Sequence, residues 1–232
     1  MNTILVCDDE RDIVSAIRIY LNGEGYRVLE AYSGVQALEL MARERVDLVL
    51  MDIMMPEMDG LTAVAKIRET SNVPVLFLSA KSEDSDKILG LNIGADDYIT
   101  KPFNPVELCA RVRSHLRRYI QLGGAAAQNG AVMRVGGIEL NDESKAVTLD
   151  GEPVSLTPLE YSILRLLMET PGKVFSSDEI YQAVWNDAPY GANATVAVHI
   201  RHLREKLEID PANPRYLKVL WGHGYKMEAD NG

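Results

Sequence analysis

Short apolar runs recur through the first half of the chain, each bounded by charged or turn-forming residues and separated from the next by a stretch with helical spacing. The first, Ile4-Leu5-Val6-Cys7, runs into Asp8, Asp9 and Glu10. Ile13, Ile17, Tyr20 and Leu21 then recur at helix period up to Gly23, Tyr26 to Glu30 is strand-like, and Gly34 to Glu44 is helical again. The next run, Leu48 to Met51, delivers a single carboxylate, Asp52, to its end. Pro56 forbids that strand from continuing, and Asp59-Gly60 turns the chain before a helical pattern over Leu61 to Glu69. Val75 to Ser79, a helix over Ser85 to Ile93, Asp97 to Lys101 and a helix over Val106 to Tyr119 complete the series. Runs this short and this apolar read as buried strands of a parallel sheet. Five of them alternating with five helices predict an α/β doubly wound, five-stranded parallel sheet. Right-handed crossovers bring every strand's carboxyl end to one edge of it.

The pattern changes after residue 121. Residues 122–131, LGGAAAQNGA, carry three glycines, no charge and no hydrophobic period, which is the composition of a linker. Beyond it Arg134 to Leu140 and Ala146 to Leu149 alternate as strands, and Asp150-Gly151 makes a hairpin turn before Val154 to Leu156. Thr157-Pro158-Leu159-Glu160 places an N-cap, a Pro at the first helical position and a Glu at capping-box spacing ahead of a helix to Glu169. Two more helices are expected over Ser176 to Val184 and Ala194 to Leu207, then two strands around Gly222-His223-Gly224. Three helices and a terminal hairpin describe an α+β winged helix-turn-helix, whose third helix enters the DNA major groove. The predicted organisation is a first domain over 1–121, a linker over 122–131 and a second domain over 132–232.

Composition narrows the function classes. No apolar run approaches the roughly 18 residues of a membrane span, and MNTILVCDDE is too short and too acidic for a signal peptide, so a cytoplasmic protein is expected. Cys7 and Cys109 match no metal or disulfide spacing and read as buried small hydrophobes. The net charge of −10 argues for solubility and gives no hint of non-specific nucleic-acid binding. Residues 122–232 hold 10 Lys and Arg against 15 Asp and Glu, but residues 194–227 reverse the sign to +3 and carry three of the four histidines. Any DNA contact is therefore expected on one face only.

The strand ends hold the chemistry. Asp8, Asp9 and Asp52 would gather at one sheet edge, with Ser79 and Lys101 at the ends of two further strands. Three carboxylates in so small a space repel unless a cation sits among them, and hard oxygen ligands suit Mg²⁺. An Asp whose charge is masked in this way can act as a nucleophile on phosphorus. Lys101 and Ser79 would hold the remaining phosphoryl oxygens.

Residues VCDDE, MDIMMPEMDG, LSAK and GADDYITKPF resemble the signature blocks of the receiver (CheY-like, flavodoxin-like) domain of bacterial two-component response regulators. By that resemblance Asp52 is the phosphoacceptor. Mg²⁺ is bound by Asp9, Asp52 and the backbone carbonyl of Met54 with Asp8 in support. Ser79 and Tyr98 are the hydroxyl and aromatic switches, Lys101 faces the phosphate, and the peptide bond before Pro102 is cis. LTPLEYSILRLL, TVAVHIRHLREKL and VLWGHGYKM resemble the output domain of the OmpR/PhoB subfamily, nearest in wording to regulators of the vancomycin-resistance (VanR-like) type. Carried over by position, Thr195, Val198, His199, Arg201, His202 and Arg204 face DNA, and the wing near Trp221 and His223 approaches the minor groove. Several members have Arg where this chain has Ala194, His202 and Trp221. The resemblance further makes Lys87, Ile88 and Leu91 on the fourth expected helix, Asp96 and Asp97 at the fifth strand, and Glu107, Arg111 and Arg118 on the fifth expected helix a symmetric dimer surface. The partners implied are a sensor histidine kinase, double-stranded promoter DNA, a second copy of the phosphorylated chain and, as a further candidate, RNA polymerase.

On this reading the chain is a phosphorylation-activated transcriptional regulator and not an enzyme. Two other classes compete. A haloacid-dehalogenase-type phosphatase also uses an Asp nucleophile with Mg²⁺, but its nucleophile ends the first strand in an Asp-x-Asp pattern, whereas Asp8 and Asp9 are adjacent. A protein-interaction module without DNA output is opposed by the positive third helix.

Overall fold

Every residue of β1 (Thr3–Cys7) and β3 (Leu48–Asp52) is buried, as strands covered on both faces require. The computed structural model describes residues 1–80, 93–123, 132–185 and 192–228, and these fall in two units, Met1–Tyr119 and Ile120–Gly232.

In the first unit β2 (Arg27–Ala31), β4 (Val75–Ala80) and β5 (Asp97–Lys101) complete a parallel sheet in the order β2-β1-β3-β4-β5. Alternate residues serve opposite faces, as the period of two demands. Leu5, Cys7, Val49, Met51, Val75 and Phe77 join one core, with Ala37 of α2 (Gly34–Arg43) and Ala63, Val64 and Ile67 of α3 (Gly60–Thr70). Ile4, Val6, Leu48, Leu50, Leu76 and Leu78 join the other, with Val14, Ile17 and Leu21 of α1 (Arg11–Gly23) and Leu108, Val112 and Leu116 of α4 (Pro105–Gly123). The chain leaves β1 toward β2 and later crosses back to β3 on the other side. The carboxyl ends of β1 and β3 therefore flank the topological switch point, where such sheets bind ligands. The peptide bond before Pro102 is cis. The helix expected over Ser85 to Ile93 falls, but for Ile93, outside the described residues, and so does the linker beyond Gly123, up to residue 131.

The second unit begins with a four-stranded antiparallel sheet: β6 (Val132–Val135), β7 (Ile138–Asn141), β8 (Ala146–Leu149) and β9 (Glu152–Pro153). The single strand expected over 134–140 is two strands. Gly136, at φ +55, and Gly137 turn the chain between them, and a Cβ on Gly136 would lie 2.6 Å from the Tyr216 ring. The strand expected over 154–156 is replaced by the two-residue β9. Helices α5 (Pro158–Glu169), α6 (Ser177–Trp185) and α7 (Ala192–Leu207) follow, then the hairpin β10 (Leu217–Leu220) and β11 (Gly224–Met227). The capping box forms: Glu160 N–H donates to Thr157 Oγ1, and Thr157 N–H donates to Glu160 Oε2 at 2.8 Å. Leu159, Ile163 and Leu167 of α5, Ile180 and Val184 of α6, and Val196, Ile200 and Leu203 of α7 share one core with Leu217 and Met227 of the hairpin. This is the winged helix-turn-helix arrangement. Among the described residues no helix is long and apolar enough to cross a membrane.

Candidate functional site

Three acids meet at the switch point. Buried Asp8 and exposed Asp9 follow β1, and buried Asp52 ends β3. One carboxylate oxygen from each lies within 4.8 Å of the others. Lys101, at the end of β5, reaches across the edge so that its Nζ stands 2.6 Å from both Asp52 Oδ1 and Asp8 Oδ2, and 3.9 Å from Glu10 Oε1. One ammonium thus faces three carboxylates, and Asp9 adds a fourth to the cluster. The surplus of hard oxygen donors fits a divalent cation of the Mg²⁺ kind. Burial pushes the Asp52 carboxyl above the usual carboxylate range, against the opposing pull of the Lys101 hydrogen bond and charge. Burial would lower Lys101, but hydrogen bonds to Asp52 and Asp8 overcome it and hold the ammonium above its ordinary value. Cys7 is the other nucleophile-capable group here. Burial first, then Asp8, Asp52 and Asp9, push its thiol up to about 12, and its Sγ–H donates to the Ser33 carbonyl at 3.3 Å. It remains a protonated core residue.

Local sequence explains why Asp52 is held there. The chain leaves β3 through Pro56 and returns at Gly60, whose N–H donates to the Ile53 carbonyl at 2.9 Å. A Cβ on Gly60 would stand 2.0 Å from the Asp52 carbonyl oxygen, so only glycine lets α3 start against the strand end. Asp59 caps α3 through Thr62 N–H at 2.7 Å. The Met54 side chain is 80% exposed while its backbone N–H donates to the Asp52 carboxylate. Ser79 lies in β4, the strand beside β3, one residue past the Asp52–Leu78 pair. Its buried hydroxyl has no hydrogen-bond partner among the described residues. A buried orphan hydroxyl at this edge is a group awaiting an acceptor. Tyr98 is half-buried on β5, opposite Phe77.

The surface expected to pair two copies is only partly as predicted. Lys87, Ile88 and Leu91 lie outside the described residues. Asp96 is turned inward: its Oδ2 accepts from Arg68 Nη2 and from Val75 N–H, both at 2.8 Å, and the residue is 1% exposed. A carboxylate fastening β4 to β5 in this way is not on an outer face. Asp97 is also buried, with Oδ2 2.9 Å from Arg111 Nη1 and 3.2 Å from His115 Nε2. Burial opposes its ionisation, yet the His115 hydrogen bond and the Arg111 charge hold it down at about 2. His115 is itself lowered, by burial and then by Arg118. Glu107 is exposed and accepts from Arg111 Nε at 3.0 Å; Arg118 is buried and donates to Ser114 Oγ at 3.1 Å.

In the second unit most of the helix residues expected to face DNA do not face outward. Thr195, Val198, His199 and His202 of α7 are buried. The His199 ring lies 5.6 Å from that of Trp185, and His202 Nδ1 is 4.0 Å from Glu160 Oε1. Arg204 spends its guanidinium on the backbone: Nε and Nη2 donate to the Leu217 carbonyl at 3.0 and 2.7 Å. The outward stripe of α7 is Ala194, Ala197, Arg201 and Glu205, with Arg201 Nε donating to Glu205 at 2.9 Å. On the hairpin, Trp221 (88% exposed) and His223 stand at the tip. Much of the positive charge counted in the sequence is engaged with partners inside the unit, although Lys206 and Arg215 stay exposed. Lys206 bonds Glu160 at 2.6 Å, Lys218 bonds the Pro214 carbonyl, Lys226 bonds Glu228 at 2.9 Å, and Arg215 lies over the Tyr216 ring.

Four residues went unremarked in the sequence: Arg68, His115, Glu160 as a partner of α7, and Glu208. A titratable residue inside an otherwise apolar helix face was the available signal for His115. The others use partners distant in sequence.

Comparison with known proteins covers both units. The model of the response regulator receiver domain matches residues 4–113. That of the transcriptional regulatory protein, C terminal, matches residues 151–227. The chain is 45% identical to the regulatory protein VanR of Enterococcus faecium over 97% of this chain and 98% of that one. It is 42% identical to the transcriptional regulatory protein YvrH of Bacillus subtilis (strain 168) over 97% and 94%. The crystal structure of the response regulator DrrB, a Thermotoga maritima OmpR/PhoB homologue, is 31% identical, covers 99% of this chain and 100% of that chain, and superposes with a TM-score of 0.52.

Proposed function

The chain belongs to the response regulators of the OmpR/PhoB type, a receiver domain joined to a DNA-binding regulatory domain, and from that premise we propose that Asp52 accepts one phosphoryl group from a sensor histidine kinase and thereby controls promoter binding. The observation that carries this is the placement of Asp52 at the end of β3, with Asp8 and Asp9 oxygens within 4.8 Å and Lys101 Nζ at 2.6 Å. A Mg²⁺ ion would be held by Asp9, Asp52 and the backbone of Met54 with Asp8 in support, and would supply charge neutralisation to the phosphoryl oxygens. Lys101 is placed to take one of those oxygens, and the orphan hydroxyl of Ser79 to donate to another. The phosphoryl group adds roughly −1.5 to −2 charge. Movement of Ser79 toward it would open space for Tyr98, and both strands lead to the surface of Glu107 and Arg111, where a second copy would dock. The protein is modified once rather than turning substrate over.

Dimerisation would bring two output domains to tandem half-sites about 10 to 10.5 base pairs apart, centre to centre, at an effective concentration of about mM. Of the residues expected to face DNA, Arg201, Trp221 and His223 are the exposed ones left to touch it. Intact mass after treatment with a small phosphodonor tests the chemistry. One phosphoryl group should be gained, lost in Asp52→Asn and lost in EDTA; retention in either case refutes the assignment. For the output half, affinity is measured on one and on two half-sites, with and without phosphorylation. An equal gain on both would refute tethering.

A further inference from the structure

The last turn of α7 and the first residue of β10 are joined through a single residue. The Leu217 carbonyl accepts two bonds from the Arg204 guanidinium, at 3.0 and 2.7 Å. The Leu217 N–H donates to Glu208 Oε1 at 2.8 Å, which also accepts Tyr216 N–H at 2.8 Å, while Oε2 accepts Arg215 N–H at 2.6 Å. Glu208 N–H donates to the Arg204 carbonyl at 2.9 Å, so both gripping residues stand one helical turn apart. Glu208 is 8% and Leu217 1% exposed. Side chains from the last turn of α7 and from the residue just past it thus occupy both polar groups of Leu217, and charge-assisted bonds of this kind are the stronger class. Across the hairpin, β11 is fastened elsewhere: Tyr225 exchanges backbone bonds with Phe175 at 2.8 and 2.9 Å.

We propose that Arg204 and Glu208 are positioning residues that set the hairpin against α7, so that Trp221 and His223 reach DNA in register with Arg201. The inference rests on the DNA-binding reading given above and assigns Arg204 a role other than the phosphate or base contact its position on the helix suggests. Trp221 lies four residues beyond Leu217, a lever of about 13 Å at strand rise. A tilt of about 10° at the grip, with β11 still held at Phe175, would carry the tip about 2 Å. That is enough to lose a groove contact without unfolding the unit.

The test uses the full-length phosphorylated protein on a DNA fragment selected for binding by the wild type, with affinity followed against salt and groove protection followed by hydroxyl-radical footprinting. Arg204→Met and Glu208→Gln should each weaken binding on the order of tenfold and remove the hairpin's minor-groove protection while α7's protection persists. The slope of log K against log salt should stay at the wild-type value, and the double variant should be no worse than the weaker single. Glu208→Gln decides by sign, because removing a negative charge near phosphates would tighten binding if electrostatics alone governed it. Tighter binding by Glu208→Gln, unchanged affinity in both variants, or a slope shallower by about 0.9 in Arg204→Met, the mark of one lost phosphate contact, would each overturn the proposal. Tryptophan-fluorescence unfolding verifies that each variant is folded, and if Arg204→Met is not, Glu208→Gln carries the test alone. A wild type that protects no fragment would refute the DNA-binding reading itself, and the positioning role with it.

Discussion

Removing the Arg68 guanidinium should strip a four-bond polar hub from the first unit. Its Nε donates to the Gly94 carbonyl at 2.7 Å, its Nη1 to the carbonyls of Ser71 and Val73 at 3.2 and 2.6 Å, and its Nη2 to Asp96 Oδ2 at 2.8 Å. The two side chains are 13% and 1% exposed, so solvent screens them little. At an effective dielectric of about 20 the pair is worth about 6 kcal/mol of Coulomb energy. Relief of guanidinium burial offsets part of that when Arg68 becomes Met. What remains is Asp96, still buried and still accepting Val75 N–H, but with its charge uncompensated, a loss of about 3 to 5 kcal/mol. With a urea m-value of about 2 kcal/mol/M, the midpoint should fall by about 2 M. The assay separates the units, because both tryptophans, Trp185 and Trp221, lie in the second. Far-UV circular dichroism should show the early transition while tryptophan fluorescence stays at the wild-type midpoint. Adding Asp96→Asn to Arg68→Met should recover part of the loss, since the stranded charge is then gone. A fall under about 1 kcal/mol, or a double variant worse than the single by a full increment, would refute the account of Asp96 as an internal fastener.

Gly60→Ala would force a Cβ to within 2.0 Å of the Asp52 carbonyl. A loss of about 1 to 3 kcal/mol and slower phosphodonor labelling by intact mass are expected together. Lys101→Met removes the ammonium 2.6 Å from both Asp52 and Asp8. Mg²⁺ affinity by calorimetry should rise several-fold, because a competing cation is gone, while labelling of Asp52 falls. Asp97 is depressed to about 2, so its contribution is present above the unfolded value near 3.8 and is lost as pH falls through 2. Wild type should therefore exceed Asp97→Asn in stability by roughly 2 kcal/mol at neutral pH, with the gap closing between about pH 4 and pH 2 in chemical unfolding curves.

What the sequence determined by itself was whatever local chemistry dictates. Apolar runs such as Leu48 to Met51 had to be strands, Pro56 had to end one, Asp59-Gly60 had to start a helix, and Thr157 with Glu160 had to cap another. Those rules, with the handedness of crossovers, are enough to bring Asp8, Asp9, Asp52 and Lys101 to one edge. Where a turn is carried by two glycines inside an alternating run, as at Gly136-Gly137, the alternation hid it. Tertiary structure alone decided which charges face inward. Asp96 and Asp97 are neighbours in the sequence, yet one fastens α3 to the sheet and the other meets α4. On α7 the helical period separates Val196 and Ile200 from Arg201, but it does not say whether Thr195, His199 and His202 fall inside or outside the packed boundary. Arg204 carries the same charge as Arg201, one turn from it. Only the approach of Leu217, distant in sequence, turns the first guanidinium onto the backbone and leaves the second at the surface. Periodicity reports which residues leave water, whereas the identity of a charged group's partner depends on chain segments whose positions no local pattern encodes.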